Sequence, residues 1–72
     1  MNKKNKIKIK LNGKSILIDK GINLGNLINK FKFPLKNIAV EKNNLIVEKK
    51  KINKILLKSN DKIEIVHFIG GG

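Results

Sequence analysis

Seventy-two residues make one small domain, and a chain of this size buries only about 60% of the surface it exposes when unfolded, which leaves no room for a substrate pocket with its own walls. The absence of Cys and the single His exclude a disulfide framework, a thiolate metal site and the usual zinc spacings. A net charge of +12 would ordinarily point to nucleic acid or an anionic membrane, but all seventeen basic residues are Lys, and Arg is the residue suited to bidentate phosphate and base recognition.

Abundant Lys, Asn and Ile, with Gln, Thr, Tyr and Trp absent, follow the bias of A+T-rich codons, so much of the charge is compositional and specific nucleic-acid binding is not predicted. Met1 to Lys6 is a basic lead without an apolar h-region, expected to be flexible. No apolar run approaches a membrane span, so a cytoplasmic protein with no membrane association is the expectation.

Ile7-Lys8-Ile9-Lys10-Leu11 alternates strictly, the pattern of a strand with one buried face. Asn12-Gly13 signals a type I′ hairpin turn, and Ser15 to Ile18 returns as the second strand before Asp19-Lys20-Gly21 closes it. Asn23 is placed to cap a helix, on which Leu24, Leu27, Ile28 and Phe31 form one apolar stripe. Gly25 weakens the first turn and reads as a close-packing position. Pro34 is expected to stop the helix.

Ile38 to Glu41 is predicted as the third strand, Lys42-Asn43-Asn44 as a turn, and Leu45 to Val47 as a short fourth strand. Glu48 to Asn53 is polar and irregular, with Ile52 pinning it to the core. Ile55 to Leu57 fits a short strand or a helical turn. Ser59-Asn60-Asp61 is a turn, and Lys62 to Phe68 forms the last strand. One helix covers one face of one sheet, and the last strand fits most economically in the middle, parallel to the first. That is an α+β, β-grasp (ubiquitin-like) domain over residues 7–68. A ferredoxin-like fold would need a second helix, for which only the Glu48 to Leu57 region offers a candidate.

After that strand come Ile69 and three glycines, expected as a flexible tail over residues 69–72. Glycine lacks a Cβ and loses the most entropy on ordering, so this is a poor strand ending but a chain thin enough to thread a narrow channel. The chemically distinct group is a carboxylate at Gly72, ionised at neutral pH because its reference pKa is about 3.3 to 3.7, and able to attack a phosphate. A frayed terminus is the plainer alternative.

Asn37-Ile38-Ala39-Val40-Glu41-Lys42-Asn43 with Ile46-Val47, and the run from Ser59 through Asp61-Lys62-Ile63-Glu64-Ile65-Val66-His67-Phe68 to Gly72, resemble the ThiS-type sulfur carriers of thiamine biosynthesis. Two departures, Glu48-Lys49 where the family often has Pro-Arg, and Asn26, Asn29 and Lys30 where it has an acidic helix, touch surfaces rather than the tail. The resemblance implies a protein cosubstrate, not an enzyme. A ThiF-type, ATP-dependent adenylyltransferase would adenylate Gly72. A sulfur donor, such as the persulfide of a cysteine desulfurase, would convert it to a thiocarboxylate. A ThiG-type thiazole synthase would take the sulfur. It also implies no bound cofactor, since ATP and Mg²⁺ belong to the activating enzyme, and that Gly70, Gly71 and Gly72 thread into partner active sites.

Strand alternation places Ile63 and Ile65 in the core and Glu64, Val66 and Phe68 on the other face beside Ala39 and Glu41. Ala39, Val66 and Phe68, with Ile69 at the start of the adjacent tail, are the candidate docking residues. His67, a lone histidine at the sheet rim, reads as structural or solvated, not catalytic. The small subunit of molybdopterin synthase and carriers for tRNA thiolation share the Gly-Gly ending and remain alternatives. A small basic RNA-binding module is the alternative of another class, although the aromatic platform expected of one is missing.

Overall fold

The computed structural model describes residues 5–68. The elements are β1 (Lys6–Leu11), β2 (Lys14–Asp19), α1 (Leu24–Lys30), a 3₁₀ turn (Leu35–Asn37), β3 (Ile38–Lys42), β4 (Leu45–Val47), a 3₁₀ segment (Lys49–Lys54) and β5 (Lys62–His67). The strands form one sheet in the order β2-β1-β5-β3-β4. β5 lies parallel to β1 and antiparallel to β3, so the last strand occupies the centre of a β-grasp sheet as the sequence predicts.

Both hairpins turn on two residues with positive φ, the requirement of a type I′ turn. Asn12 and Gly13 have φ of 51° and 84°, and Asn43 and Asn44 have 52° and 73°. The second turn is one residue shorter than expected, because Lys42 pairs with Leu45 inside the ladder. Asn tolerates this backbone region better than other side chains because its short amide bonds locally.

Asn23 caps α1 reciprocally. Its side chain accepts from the Asn26 backbone N–H at 2.8 Å, and the Asn26 side chain accepts from the Asn23 N–H at 3.0 Å, a capping box in which Asn takes the place of the usual Glu or Gln. Leu24, Leu27 and Ile28 are buried, but Phe31 is 44% exposed, against the expectation that it completes the stripe. The reason is an early stop. Lys32 adopts φ 58°, its N–H bonds to the Asn29 carbonyl, and the Phe33 N–H reaches the Ile28 carbonyl. These two bonds form a Schellman motif, which ends the helix before Pro34 can act. Pro34 instead precedes the 3₁₀ turn Leu35–Asn37.

Gly25 is the close approach that the sequence suggests. A Cβ there would collide with the side-chain amide of Asn53 on the 3₁₀ segment. That segment is anchored by buried Ile52. Ile55 to Leu57 runs extended beside Ile22 to Leu24, with the Leu24 N–H bonded to the Ile55 carbonyl, the Leu57 N–H bonded to the Ile22 carbonyl and a single bridge between Asn23 and Leu56. The open choice there resolves as extended chain. Ile9, Leu11, Ile18, Leu24, Leu27, Ile28, Ile38, Val40, Ile52, Leu57, Ile63 and Ile65 fill the space between sheet and helix.

Lys32 is the position where the chain departs from its best local chemistry. A left-handed conformation costs a residue with a Cβ about 1 kcal/mol or more, and Gly escapes most of that cost. Lys32→Gly should therefore stabilise the domain by about 1 kcal/mol, which would raise the melting temperature by about 4–8 °C in a chain of this size. A thermal melt followed by circular dichroism measures it, and an unchanged or lower melting temperature would contradict the Schellman assignment.

Candidate docking face and tail exit

The site grows from the parity of β5. Ile63 and Ile65 are 0% and 6% exposed, whereas Val66 and Phe68 are 56% and 55% exposed. Across the ladder Ala39 pairs with Val66 and Glu41 with Glu64, which brings together the residues that alternation assigns to the open face. β4 extends this face, because Ile46 pairs with Glu41 and is 77% exposed. The sequence reading misses Ile46. The signal was in the hairpin register, which becomes readable only once the turn is known to hold two residues.

Phe68 is the last described residue, and its position is held. Its N–H bonds to the Asn37 carbonyl at 2.8 Å, one step beyond the β3–β5 ladder, and the Lys49 ammonium lies 5.7 Å from its ring centroid, a cation–π distance. The chain thus leaves the sheet in a defined place. Ile69, Gly70, Gly71 and Gly72, the other predicted site residues, lie outside the described residues. His67 is exposed, with its ring 5.9 Å from that of Phe33, which is in turn 6.4 Å from Phe31. This aromatic run lines the helix side of the exit and accounts for His67 as a packing residue.

Charge is distributed unevenly. Lys6 pairs with Asp19 at 2.8 Å, Lys51 with Glu48 at 3.6 Å and Lys42 with Asp61 at 4.0 Å. The hydrogen bond from Lys6, and then its charge, hold the Asp19 carboxyl below its ordinary pKa. Asp61, 7% exposed, accepts from the Asn43 side chain and the Lys58 N–H, at the end of the sheet away from the tail exit. Among the described residues no group of three or more His, Cys, Asp or Glu side chains is placed to hold a metal ion, and no helix is long and apolar enough to cross a membrane.

Among the described residues, one α-helix on a five-stranded mixed sheet with its last strand at the centre defines a ubiquitin-like β-grasp protein. The model of the ThiS family matches residues 5–72. The chain belongs to the ThiS family. It is 44% identical over 62 residues to an uncharacterised protein, ycf40, of Trieres chinensis, covering 86% of this chain and 85% of that one. It is 35% identical over 65 residues to the sulfur carrier protein ThiS of Bacillus subtilis, covering 89% of this chain and 98% of the relative. It is also 38% identical over 66 residues to a thiazole synthase of Magnetococcus marinus, where the match takes in 92% of this chain but only 20% of that longer protein. The crystal structure of a ThiS thiamine-biosynthesis protein from Geobacter metallireducens superposes with a TM-score of 0.80 at 26% identity, over 92% of this chain and all of that one.

The two faces of β5 make a direct test. Val66→Lys puts a charge on an exposed position and should leave the circular-dichroism spectrum and the cooperative melt intact. Ile65→Asp puts an unpaired carboxylate in the core at a cost of several kcal/mol, comparable to the whole stability of a small domain, and should leave the chain unfolded. Equal loss of structure in both variants would refute the assignment of faces.

Proposed function

We propose that this protein is a sulfur carrier of thiamine biosynthesis, and that the Gly72 carboxylate is the group that reacts. The observation that carries the reading is the exit of the central strand. Phe68, exposed and held by its N–H to the Asn37 carbonyl, precedes Ile69 and Gly70-Gly71-Gly72 in a chain of the ThiS family. The named relatives include a sulfur carrier and a thiazole synthase, which supports a ThiG-type thiazole synthase as the receiving partner.

The chemistry follows from a carboxylate being a poor electrophile. In the proposed sequence a carboxylate oxygen attacks the α-phosphorus of ATP on a ThiF-type adenylyltransferase, and pyrophosphate leaves. Mg²⁺ held by that enzyme offsets the phosphate charge. The terminal sulfur of a donor persulfide, such as that of a cysteine desulfurase, then attacks the acyl carbon of the adenylate and AMP leaves. A second thiol cleaves the resulting acyl disulfide, releasing the thiocarboxylate and leaving a disulfide between the two thiols. Glycines let the terminus approach these reacting groups closely, because no Cβ stands in the way. The carrier contributes position and a docking face formed by Ala39, Val66, Phe68 and Ile69; catalysis belongs to its partners. A nucleic-acid role gains little support from the exit side of the open face, which is apolar and carries the Glu41–Glu64 pair.

Position is what the experiment must probe. Each residue advances the chain by up to about 3.6 Å, and a misplacement of about 1 Å can cost on the order of a hundredfold in rate. Appending one Ala after Gly72, or deleting Gly72, should each abolish sulfur loading while leaving the melting temperature unchanged. The assay combines the activating enzyme, ATP and a sulfur donor, and intact mass reports replacement of one oxygen by sulfur. An extended chain that loads at the wild-type rate without first being trimmed to Gly72 would refute the mechanism.

A further inference from the structure

The open face holds an arrangement that costs stability and that no salt bridge within the described residues offsets. Glu41 and Glu64 are direct cross-strand partners on this face, where like charges opposite one another destabilise a sheet. Both are half-buried, so water screens them less than it would at a fully exposed position. The chain has seventeen lysines and five acidic residues, and the other three acids, Asp19, Glu48 and Asp61, each have a lysine partner. Among the described residues Glu41 and Glu64 have none. On the exit side of the pair the surface is apolar, with Ile46 beside Glu41 and the Ala39–Val66 pair next along the ladder, while Lys62 and its partner Lys10 share the face on the side away from the exit. In a protein of net charge +12, the part of the open face between this pair and Val66 is apolar with an acidic pair set into it.

We infer that this face receives an apolar protein surface carrying one basic side chain, which seats between the Glu41 and Glu64 carboxylates. The inference rests on the proposed function, because it specifies the chemistry by which the activating enzyme grips the carrier. Arg suits the position better than Lys. Its planar fork can donate to two carboxylates at once, and its charge is more weakly hydrated and so cheaper to bury. Other occupants fit less well. A second copy applied to the same face about a two-fold axis would bring two acidic pairs together, and a phosphate backbone or anionic lipid laid over this part of the face would meet the same two carboxylates.

The test titrates the activating enzyme from the same genome with four forms of the full chain: wild type, Glu64→Lys, the double variant Glu41→Gln with Glu64→Gln, and Asp19→Lys, which makes the same change in charge as Glu64→Lys on edge strand β2. ATP–pyrophosphate exchange gives the half-saturating concentration at low and high salt, and melting temperature reports folding. The double Gln variant should melt at or above the wild-type temperature, because the repulsion is gone, yet need about tenfold more protein for half-saturation. Glu64→Lys should need more still, and Asp19→Lys should stay within about twofold of wild type. The wild-type value should rise with salt and the double Gln value should change little. If the wild type exchanges and the double Gln variant matches it, this inference is overturned while the carrier reading stands. If the wild type does not support exchange at all, the carrier reading fails and takes this inference with it. A wild-type dimer that Glu64→Lys dissociates would assign the face to a second copy instead, which also overturns the inference.

Discussion

Strand β5 is the last strand to leave the chain and the one on which both halves of the sheet depend, and its seating rests on two asparagine side chains. β1 accompanies it only through Leu11, opposite Ile63, so the Ile65 N–H would face that side without a strand partner. The Asn12 side chain accepts from it at 2.7 Å. On the other side the Asn43 side chain accepts from the Lys62 N–H at 2.8 Å and donates to Asp61 at 3.0 Å. Two of the four turn residues with positive φ, Asn12 and Asn43, therefore also fix the start and middle of the central strand. A partly buried N–H left without an acceptor costs about 1–3 kcal/mol, enough to matter against the small net stability of such a domain.

Fixing β5 this way has a functional consequence. Its register decides which side chains reach the core and which remain outside, since a slip by one residue would exchange the two sets. With Asp61 bonded to the Lys58 N–H and its own carbonyl accepting from Lys10, the near end of the strand is held at both groups, and the Phe68–Asn37 bond carries that definition to the exit. On the proposed function, a carrier that delivers its terminus to another protein's reacting atoms would use such a defined last foothold. The rest of the molecule serves mainly to hold it.

The sequence makes the hairpins, the helix cap and the faces of β5 legible because each has a local signature: Asn-Gly, an Asn before an apolar stripe, and strict alternation. The helix end is illegible for a physical reason. Its Schellman motif places Lys32 where glycine normally announces the stop, so Pro34 looks like the terminator. The segment Ile55 to Leu57 is set by its pairing with Ile22 to Leu24, a long-range contact with no periodicity of its own. Asp61 reads as an ordinary turn residue, since its partners at Asn43 and Lys58 are known only once β3, β4 and β5 assemble. On the open face, Ala39, Val66 and Phe68 follow from parity alone. Ile46 requires the turn length, and the opposition of Glu41 and Glu64 becomes meaningful only when the lysines are seen to partner the other acids.

The charge pattern reconciles two readings of the composition. Excess lysine spreads over the surface, as compositional drift would leave it, while the acidic residues are few and placed. The central claim remains that the carboxyl of Gly72 carries sulfur. The most direct measurement is the intact mass of the protein isolated from its native host during active thiamine synthesis, with thiocarboxylates trapped by alkylation at the moment of lysis. The account predicts a fraction of chains ending at Gly72 and alkylated on a terminal sulfur. Chains that carry only an ordinary carboxylate under those conditions, or that continue past Gly72, would contradict it.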